Sequence, residues 1–390
     1  MTGSASMKPE RRGPRGLIGI AVAFLRLGVV AFGGPAAHLA LLENEFVTRR
    51  GWLSRQRFLD LMGATNLIPG PNSTEMTMHI GYERAKGPGL IAAGLGFVLP
   101  AAGITAVLAW IYVEFGALPT VEPILAGVRP AVLVVIVGAV WKLGRKAIRG
   151  WRLGLIGVAV VAAVWAGAGE VTALLAGGVL GALLLSVPRS SASLGLLVMA
   201  LLEPARALAS TAESADLAKL GLFFLKVGAV LYGSGYVLIA FLEGGLVTDY
   251  GWVTRQQLLD AIAVGQFTPG PVLTAATFLG FLVAGPVGAA VATAGIFLPA
   301  FGFAWILNPL VKRLRESAVT AAFLDAVNAA AVGLMVAVAV DLSAATLSTL
   351  PAWAIAAAGA AGLFWARWPA AWIVAGGGLI GWLAGFAGWF

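Results

Sequence analysis

The chain contains no cysteine and only two histidines, and these absences exclude several classes of site. Without cysteine there is no disulfide bond, no thiolate metal site and no cysteine nucleophile. His38 has no partner at ligand-like spacing, and Glu75 and His79 alone are too few ligands, so no metal centre is indicated. The sequence also lacks a phosphate-binding P-loop, a nucleophile elbow and a zinc-protease helix. We therefore expect no cofactor, no metal and no enzymatic activity.

Charged residues are scarce as well, at 11% of 390 residues, whereas a soluble domain carries about 25%. Hydrophobic residues make up 59%, and the 52 glycines and 13 tryptophans suit close helix packing and interfacial anchoring. This composition predicts an all-α polytopic membrane protein. The net charge of +8 is typical of basic cytoplasmic loops and of attraction for anions, and does not point to nucleic acid.

The run Pro69-Gly70-Pro71 interrupts two short apolar stretches and returns as Pro269-Gly270-Pro271. Two prolines remove two backbone donors, so a helix must end before the run and another must begin after it. In a bilayer such a break persists only where protein buries it or where it lines a watery cavity. The flanking helices are too short to cross a membrane, so we predict a re-entrant pair at each break.

The second half of the chain repeats the first at an offset of 200 residues. Between 24–80 and 224–280, 21 of 57 positions are identical. Identities at polar, glycine and proline positions indicate duplication, since helix patterning alone does not produce them. The identical pairs include Gly33/Gly233, Glu43/Glu243, Trp52/Trp252, Gln56/Gln256 and Asp60/Asp260.

The basic loops exchange sides between the halves. Arg49 and Arg50 become Asp249 and Tyr250 in the second half. The loop after the first long span is acidic, with Glu114 and Glu122, whereas its counterpart contains Lys312, Arg313 and Arg315. Because basic loops stay in the cytoplasm, the halves are predicted to form an inverted-topology repeat.

We divide the chain into a cytoplasmic N-terminal tail (1–15), a first repeat (16–187), a linker (188–215) and a second repeat (216–390). Inversion requires an odd number of crossings between equivalent points, so the run 194–209 is predicted to cross. Further spans are predicted at 89–113, 122–141, 153–168, 170–187, 286–311, 317–341, 351–366 and 370–389.

Arg26 lies about ten residues into the first apolar segment, and Lys226 occupies the equivalent position. A charge inside a membrane is costly and usually faces a cavity or a partner. We predict that the two cations form a clamp for an oxyanion. The alternative is snorkelling, or a salt bridge to Glu43 or Glu243.

Helices that begin after the breaks would direct N–H groups and a positive dipole end towards an anion. The other candidate substrate-binding residues lie at or near the breaks: Gly33, Gly34, Asn66, Pro69, Gly70, Pro71, Asn72, Ser73, Thr74, Ser234, Gln266, Pro269, Gly270, Pro271 and Thr274. Arg129 and its counterpart Asn328 could line the same cavity, or Arg129 could pair with Glu122.

Glu75, Glu43 and Glu243 are candidates for proton coupling, although Glu43 and Glu243 lie near basic runs and suit a structural role. Glu75 and His79 share one helix face, which leaves a membrane enzyme as an alternative hypothesis. A metal site at this pair has too few ligands.

Several of these motifs together resemble the chromate ion transporter family in its two-half form. The resemblance covers nearly the whole chain and rests on Phe32-Gly33-Gly34-Pro35, both Pro-Gly-Pro runs, Gly51-Trp52 and Tyr232-Gly233-Ser234-Gly235-Tyr236. It implies export of chromate across the bacterial inner membrane and chromate resistance, with sulfate as a related oxyanion. The alternatives are a transporter of sulfate or another oxyanion, or a passive anion channel. Small-residue runs at 356–362 and 376–378 permit a homodimer without showing one.

Overall fold

The computed structural model describes residues 14–65, 68–185, 216–307 and 318–386, and all regular structure in these ranges is helical. The predicted crossing 194–209, nearly all of the N-terminal tail and Asn66 lie outside the described residues. In the first half the helices are α1 (Pro14–Val30), α2 (Gly34–Leu42, continued as a π-helix over Glu43–Arg49), α3 (Arg55–Thr65), α4 (Asn72–Phe115), α5 (Glu122–Ala147), α6 (Trp151–Trp165) and α7 (Glu170–Leu185).

The second half repeats this order. Its helices are α8 (Leu217–Val230), α9 (Leu238–Leu242, continued as a π-helix over Glu243–Asp249), α10 (Arg255–Phe267), α11 (Ala275–Leu307), α12 (Ala318–Thr346), α13 (Leu350–Phe364) and α14 (Ala370–Phe386). Short 3₁₀ turns, Gly235–Val237 and Val272–Thr274, precede α9 and α11. The prediction of an all-α protein with two homologous halves is confirmed.

Helix α4 is folded back on itself at Ala85–Lys86, where the backbone leaves the helical region. Pro88 follows closely and disfavours a helical residue before it. The two arms, 72–84 and 87–115, then pack so closely that a Cβ on Gly81 would meet the Gly89 carbonyl oxygen. Helix α11 folds back in the same way at Ala284–Gly285. We call these segments the short and long arms of α4 and α11.

The short arm of α4 pairs with α3 as a re-entrant hairpin whose tip is Pro69-Gly70-Pro71. Its two feet are tied together where Arg57 Nη2 donates to Glu83 Oε1 at 2.6 Å. Nearby, the Arg84 guanidinium lies over the Trp52 ring at 5.2 Å. Both feet therefore lie on one side, which confirms the predicted re-entrant pair. Helix α1 and the α2 segment also run antiparallel, since the Phe24 and Phe46 rings stack at 4.6 Å.

The halves are inverted relative to each other, as predicted. The long arms of α4 and α11 are equivalent elements, yet they contact each other antiparallel. Gly87 lies against Trp305, and Gly94, further along its arm, lies against Phe301, which comes earlier in its own. Equivalent helices that run in opposite directions are the signature of an inverted repeat.

The halves also exchange helices. Helix α5 packs on α13 and α14 of the second half, and α12 packs on α6 and α7 of the first. Glycines allow the close approach: Gly127 contacts Gly377 and Gly381, and Gly333 contacts Gly157. Four described helical segments are long and apolar enough to cross a membrane: Asn72–Phe115, Glu122–Ala147, Val272–Ile306 and Val319–Thr346.

Candidate functional site

The tip of each re-entrant hairpin bonds to the helix break of the other half, through two reciprocal hydrogen bonds. The Gly70 N–H donates to the Leu231 carbonyl oxygen at 2.7 Å, and the Gly270 N–H donates to the Ala31 carbonyl oxygen at 2.8 Å. Because 70 and 270, and 31 and 231, are equivalent positions, these bonds are related by the pseudo-two-fold axis. Each Pro-Gly-Pro tip thus satisfies a carbonyl that the helix break in the other half leaves free.

Both tip glycines are required by their backbone and by their surroundings. Gly70 has φ +139° and Gly270 has φ +96°, a region that other residues rarely adopt. A Cβ on Gly70 would collide with the Glu75 carboxyl, and one on Gly270 would collide with the Ala101 methyl group. Neither position could therefore accept a larger residue without strain.

His38 reinforces one of these joints. Its Nε2 lies 2.9 Å from the Ala31 carbonyl oxygen, and its Nδ1 lies 3.3 Å from Ser73 Oγ. With the proton on Nε2, the ring donates to Ala31 and accepts from the Ser73 hydroxyl. The imidazole is 1% exposed. It therefore connects the break after α1 to the start of α4.

A cavity of about 260 Å³ extends from the end of α5 to the tip of the first hairpin. One water occupies roughly 30 Å³ of liquid, so a small oxyanion with part of its hydration shell has room here. Lys146 and Arg149 lie at one end of the cavity, and Asn72, Gly233 and Asn328 lie at the other. The remaining lining residues are Ile68, Leu143, Ala147, Val237, Asp325, Ala331 and Val332.

A larger cavity, of about 860 Å³, lies between the long arms of α4 and α11. Its lining is apolar apart from Thr277 and Thr293. Their hydroxyl groups bond to each other at 2.7 Å. Such a surface suits lipid chains and offers nothing to a hydrated anion. The smaller cavity, with its cations and amides, is therefore the candidate site.

Near the opposite end of α5, an ion pair joins the two halves. Arg129 donates from Nε and Nη2 to the two carboxylate oxygens of Asp260, each at 3.0 Å. The Tyr112 hydroxyl adds a third bond to Asp260 Oδ2 at 2.8 Å. Arg129 is 17 residues before Lys146, which corresponds to roughly 25 Å along the helix. We call Arg129, Asp260 and Tyr112 the α5–α10 lock.

The structure thus separates Arg129 from its counterpart. Two roles for Arg129 are compatible with the sequence, a place in the cavity lining or a pair with Glu122, whereas its hydrogen bonds go to Asp260. Asn328 lines the cavity, as one of those roles required. Arg129 therefore lies in an ion pair near one end of α5, and Asn328 lines the cavity at the other end.

Arg26 and Lys226 do not line the cavity. Both are exposed, because the apolar faces of α1 and α8 pack on the long arms of α4 and α11 and leave these cations on the other face. Lys226 lies close enough to Glu170 and Asp249 to interact with their charges. The role of the two cations in oxyanion binding stays a prediction.

Glu43 and Glu243 form ion pairs near the feet of the hairpins. Glu43 Oε1 lies 3.2 Å from Arg55 Nε, and Glu243 Oε1 lies 3.0 Å from Arg255 Nε. The carboxylates that could have paired with Arg26 and Lys226 therefore bind other arginines. The repeated ion pair agrees with the structural role favoured for both glutamates.

The remaining predicted residues surround the tips. Ser234 caps the turn before α9 by accepting from the Tyr236 N–H, and Gln266 Oε1 accepts from the Tyr236 hydroxyl at 3.3 Å. Thr274 donates to the Pro271 carbonyl oxygen at 3.0 Å. Gly33 and Gly34 turn the chain after α1 with positive φ angles, as Gly233 does after α8. Pro69, Pro71, Pro269 and the Thr74 side chain are buried at the tips.

Glu75 and His79 are completely buried on the short arm of α4, each 0% exposed. Both carboxyl oxygens and both ring nitrogens lack a hydrogen-bond partner among the described residues. Buried polar groups are nearly always paired, so this arrangement requires an explanation.

Sequence reasoning missed Lys146 and Arg149 as site residues, because the basic loop 142–152 was used only to orient the chain. It also missed the α5–α10 lock. A signal for the lock was present: an intramembrane arginine at 129 and an aspartate repeated at 60 and 260. Nothing in the sequence indicates that Arg129 pairs with Asp260, because the two residues are 131 positions apart.

A family model described as Chromate transporter matches residues 18–182 and again 218–382. The chain belongs to the chromate transporter family. The second match begins 200 residues after the first (218 − 18), the same offset as the internal repeat. The protein is therefore a membrane transporter of this family, whose members are not an enzyme class.

Curated relatives extend over most of the chain. A protein described as chromate transport protein from Pseudomonas aeruginosa is 35% identical over 384 residues, covering 92% of this chain and 90% of its own. One of the same description from Cupriavidus metallidurans is 33% identical over 335 residues, covering 84% and 83%. A probable chromate transport protein from Synechococcus elongatus is 33% identical over 341 residues, covering 85% and 86%. No solved structure matches the chain.

Proposed function

We propose that this chromate transporter is a secondary transporter that exports chromate from the cytoplasm by alternating access and confers chromate resistance. The observation that carries the proposal is the cavity of about 260 Å³, which leads from Lys146 and Arg149 to the tip of the first hairpin and the helix break at Gly233. Transporter sites of inverted repeats lie at such discontinuous helices near the bilayer midplane. The assignment of chromate as the substrate rests on the descriptions of the relatives.

The chemistry of the cavity suits a dianion that must be released again. Cations at the mouth raise the local concentration of anions. Deeper in, Asn72 and Asn328 can donate neutral hydrogen bonds, which orient an oxyanion without trapping it. Asp325 keeps the net positive charge of the lining low. Chromate and sulfate have nearly the same shape and charge, so sulfate is the alternative substrate.

The two ends of α5 support alternating access. The cavity is at the end that carries the basic loop 142–152, which by its charge is cytoplasmic. The other end is sealed by the α5–α10 lock. A protein open on one side and closed on the other is in one of the two states that this mechanism needs, and the described conformation corresponds to cytoplasmic loading. In this scheme the protein spans the bacterial inner membrane several times, with its N-terminus in the cytoplasm.

Uptake of radiolabelled chromate into inverted membrane vesicles tests the proposal, since such vesicles take up what the cell expels. We expect saturable uptake that excess sulfate reduces and that proceeds against a chromate gradient. A passive channel would only equilibrate the label. Absence of saturable uptake, with protein shown to be folded in the membrane, would refute chromate export.

A further inference from the structure

The short arm of α4 carries three titratable residues at four-residue intervals, Glu75, His79 and Glu83, which therefore lie on one helix face. Glu75 is at the hairpin tip, and Glu83 is at the foot, where its side chain is 26% exposed and bonds to Arg57. The row thus leads from the membrane surface to the point where the two halves meet.

The groups that face this row come from three other elements. The Tyr232 phenol, in the break after α8, lies within electrostatic range of Glu75, and the charges of Glu83 and Arg57 reach His79. The long arm of α11 contributes the Ala300 methyl group, which lies beside Gly70 together with the Glu75 carboxyl. Among the described residues, no cation pairs with the Glu75 carboxyl.

Burial without hydrogen-bond partners is costly for the Glu75 carboxyl and the His79 imidazole. A buried polar group without a hydrogen bond costs about 1–3 kcal/mol, and an unpaired buried charge costs far more. The fold does not require them, because Ala275, Leu279 and Val283 occupy the equivalent positions of the second half. A feature that costs stability and is absent from the equivalent helix points to function.

Glu75 is also connected to the parts that must move. Its carboxyl packs on Gly70, whose N–H forms the joint with Leu231. Asn72, one turn earlier on the same helix, lines the cavity. A change of charge at Glu75 would therefore act on the tip contact and on the oxyanion site together.

Building on the proposed transport function, we propose that Glu75 carries a coupling proton and that His79 and Glu83 connect it to the membrane surface. Successive residues of the row are about 6 Å apart along the helix, so one water or a side-chain rotation completes each step. When the outer side is open, one proton from outside neutralises Glu75. When the cytoplasmic side opens, this proton passes through the His79 ring to Glu83 and leaves at the cytoplasmic surface, so that one proton enters the cell in each export cycle.

The test uses the full-length protein in proteoliposomes, with two assays of labelled chromate. Exchange of internal for external chromate needs no net proton movement, whereas accumulation driven by a pH gradient does. We expect Glu75→Gln, which mimics the neutral carboxyl, to keep exchange within about twofold and to lose gradient-driven accumulation at least tenfold. Glu43→Gln is the matched control and should keep both. The inference is wrong if the Glu75→Gln variant accumulates chromate like the wild type. It is also wrong if chromate accumulation by the wild type does not depend on the pH gradient.

An infrared measurement separates this inference from the proposed function, since it needs no transport. We expect the carbonyl band of a protonated carboxylic acid in the wild type and its loss in Glu75→Gln. Transfer to D₂O should shift this band, and His79→Leu should slow the shift at least tenfold. A shift that is unchanged in His79→Leu would eliminate the relay, even in a protein that transports no chromate.

Discussion

The two ends of the molecule are built from equivalent helices, but the side chains that join these helices differ between the ends. At one end α5 is bonded to α10 by the lock of Arg129, Asp260 and Tyr112. At the other end the equivalent elements are α12 and α3, and the residues at the matching positions are Asn328 and Asp60. An asparagine cannot form an ion pair, and Asn328 lines the open cavity instead.

This difference in sequence accounts for part of the difference between the two ends: one is joined by an ion pair and the other contains the cavity. A perfectly repeated chain could close either side with the same bonds. Here the first half supplies an arginine and the second half an asparagine. The side with the ion pair is therefore the one expected to be closed when no substrate is bound.

The largest effect should come from breaking the lock. Arg129→Leu leaves the Asp260 carboxylate, 1% exposed, without its charged partner. Removing one member of a buried pair typically costs about 3–5 kcal/mol, and this should lower the midpoint of thermal unfolding in detergent. Arg55→Leu removes an exposed member of the Glu43 pair and should cost less than about 1 kcal/mol. Equal unfolding midpoints for the two variants would show that the lock does not stabilise the fold.

A smaller loss of stability is expected from a substitution at Gly70, whose N–H bonds to the Leu231 carbonyl oxygen. Gly70→Ala would combine an unfavourable φ angle with a collision against the Glu75 carboxyl, for a cost of roughly 3 kcal/mol. Gly285→Ala is the control: its backbone, with φ +61° and ψ −152°, is also unfavourable for alanine, but no described atom lies within 4 Å of the added methyl group. Because only the backbone is strained, it should cost about 1–2 kcal/mol. Denaturant unfolding would measure the free energy of unfolding of both variants. A Gly70→Ala variant that is as stable as the control would contradict the close contact between Gly70 and Glu75.

Much of the architecture could be predicted from the sequence because duplication, Pro-Gly-Pro breaks and loop charges act locally or through composition. The repeat, its inversion and the re-entrant hairpins all follow from such features. The joint between Gly70 and Leu231 could not be predicted, since it joins positions far apart in sequence. The exposed placement of Arg26 was missed for a related reason: depth along a helix was read from the sequence, but the face it presents depends on which neighbour packs against α1.

An arginine at position 328 would test whether the missing cation keeps the cavity open. Asn328→Arg should place a guanidinium in the cavity, on the side where Asp60 stands, and reduce chromate transport at least tenfold. Asn328→Gln keeps an amide and should reduce it far less. Because the chain has no cysteine, Leu143→Cys provides a single thiol in the cavity lining. Labelling of this thiol should slow in the arginine variant, and an unchanged rate would mean that the cavity stays open.

The smallest effect is expected at the mouth of the cavity, where the cations are exposed and screened by salt. Lys146→Gln or Arg149→Gln should weaken apparent chromate affinity about threefold to fivefold at low ionic strength, and less at high salt, since exposed charges steer anions and do not hold them. Lys142→Gln changes a cation of the same helix end that does not line the cavity, and should have little effect. The measurement is the concentration dependence of vesicle uptake at two salt concentrations. Equal effects from the three substitutions would mean that the mouth has no special role and that the net charge of the cytoplasmic face attracts the anion.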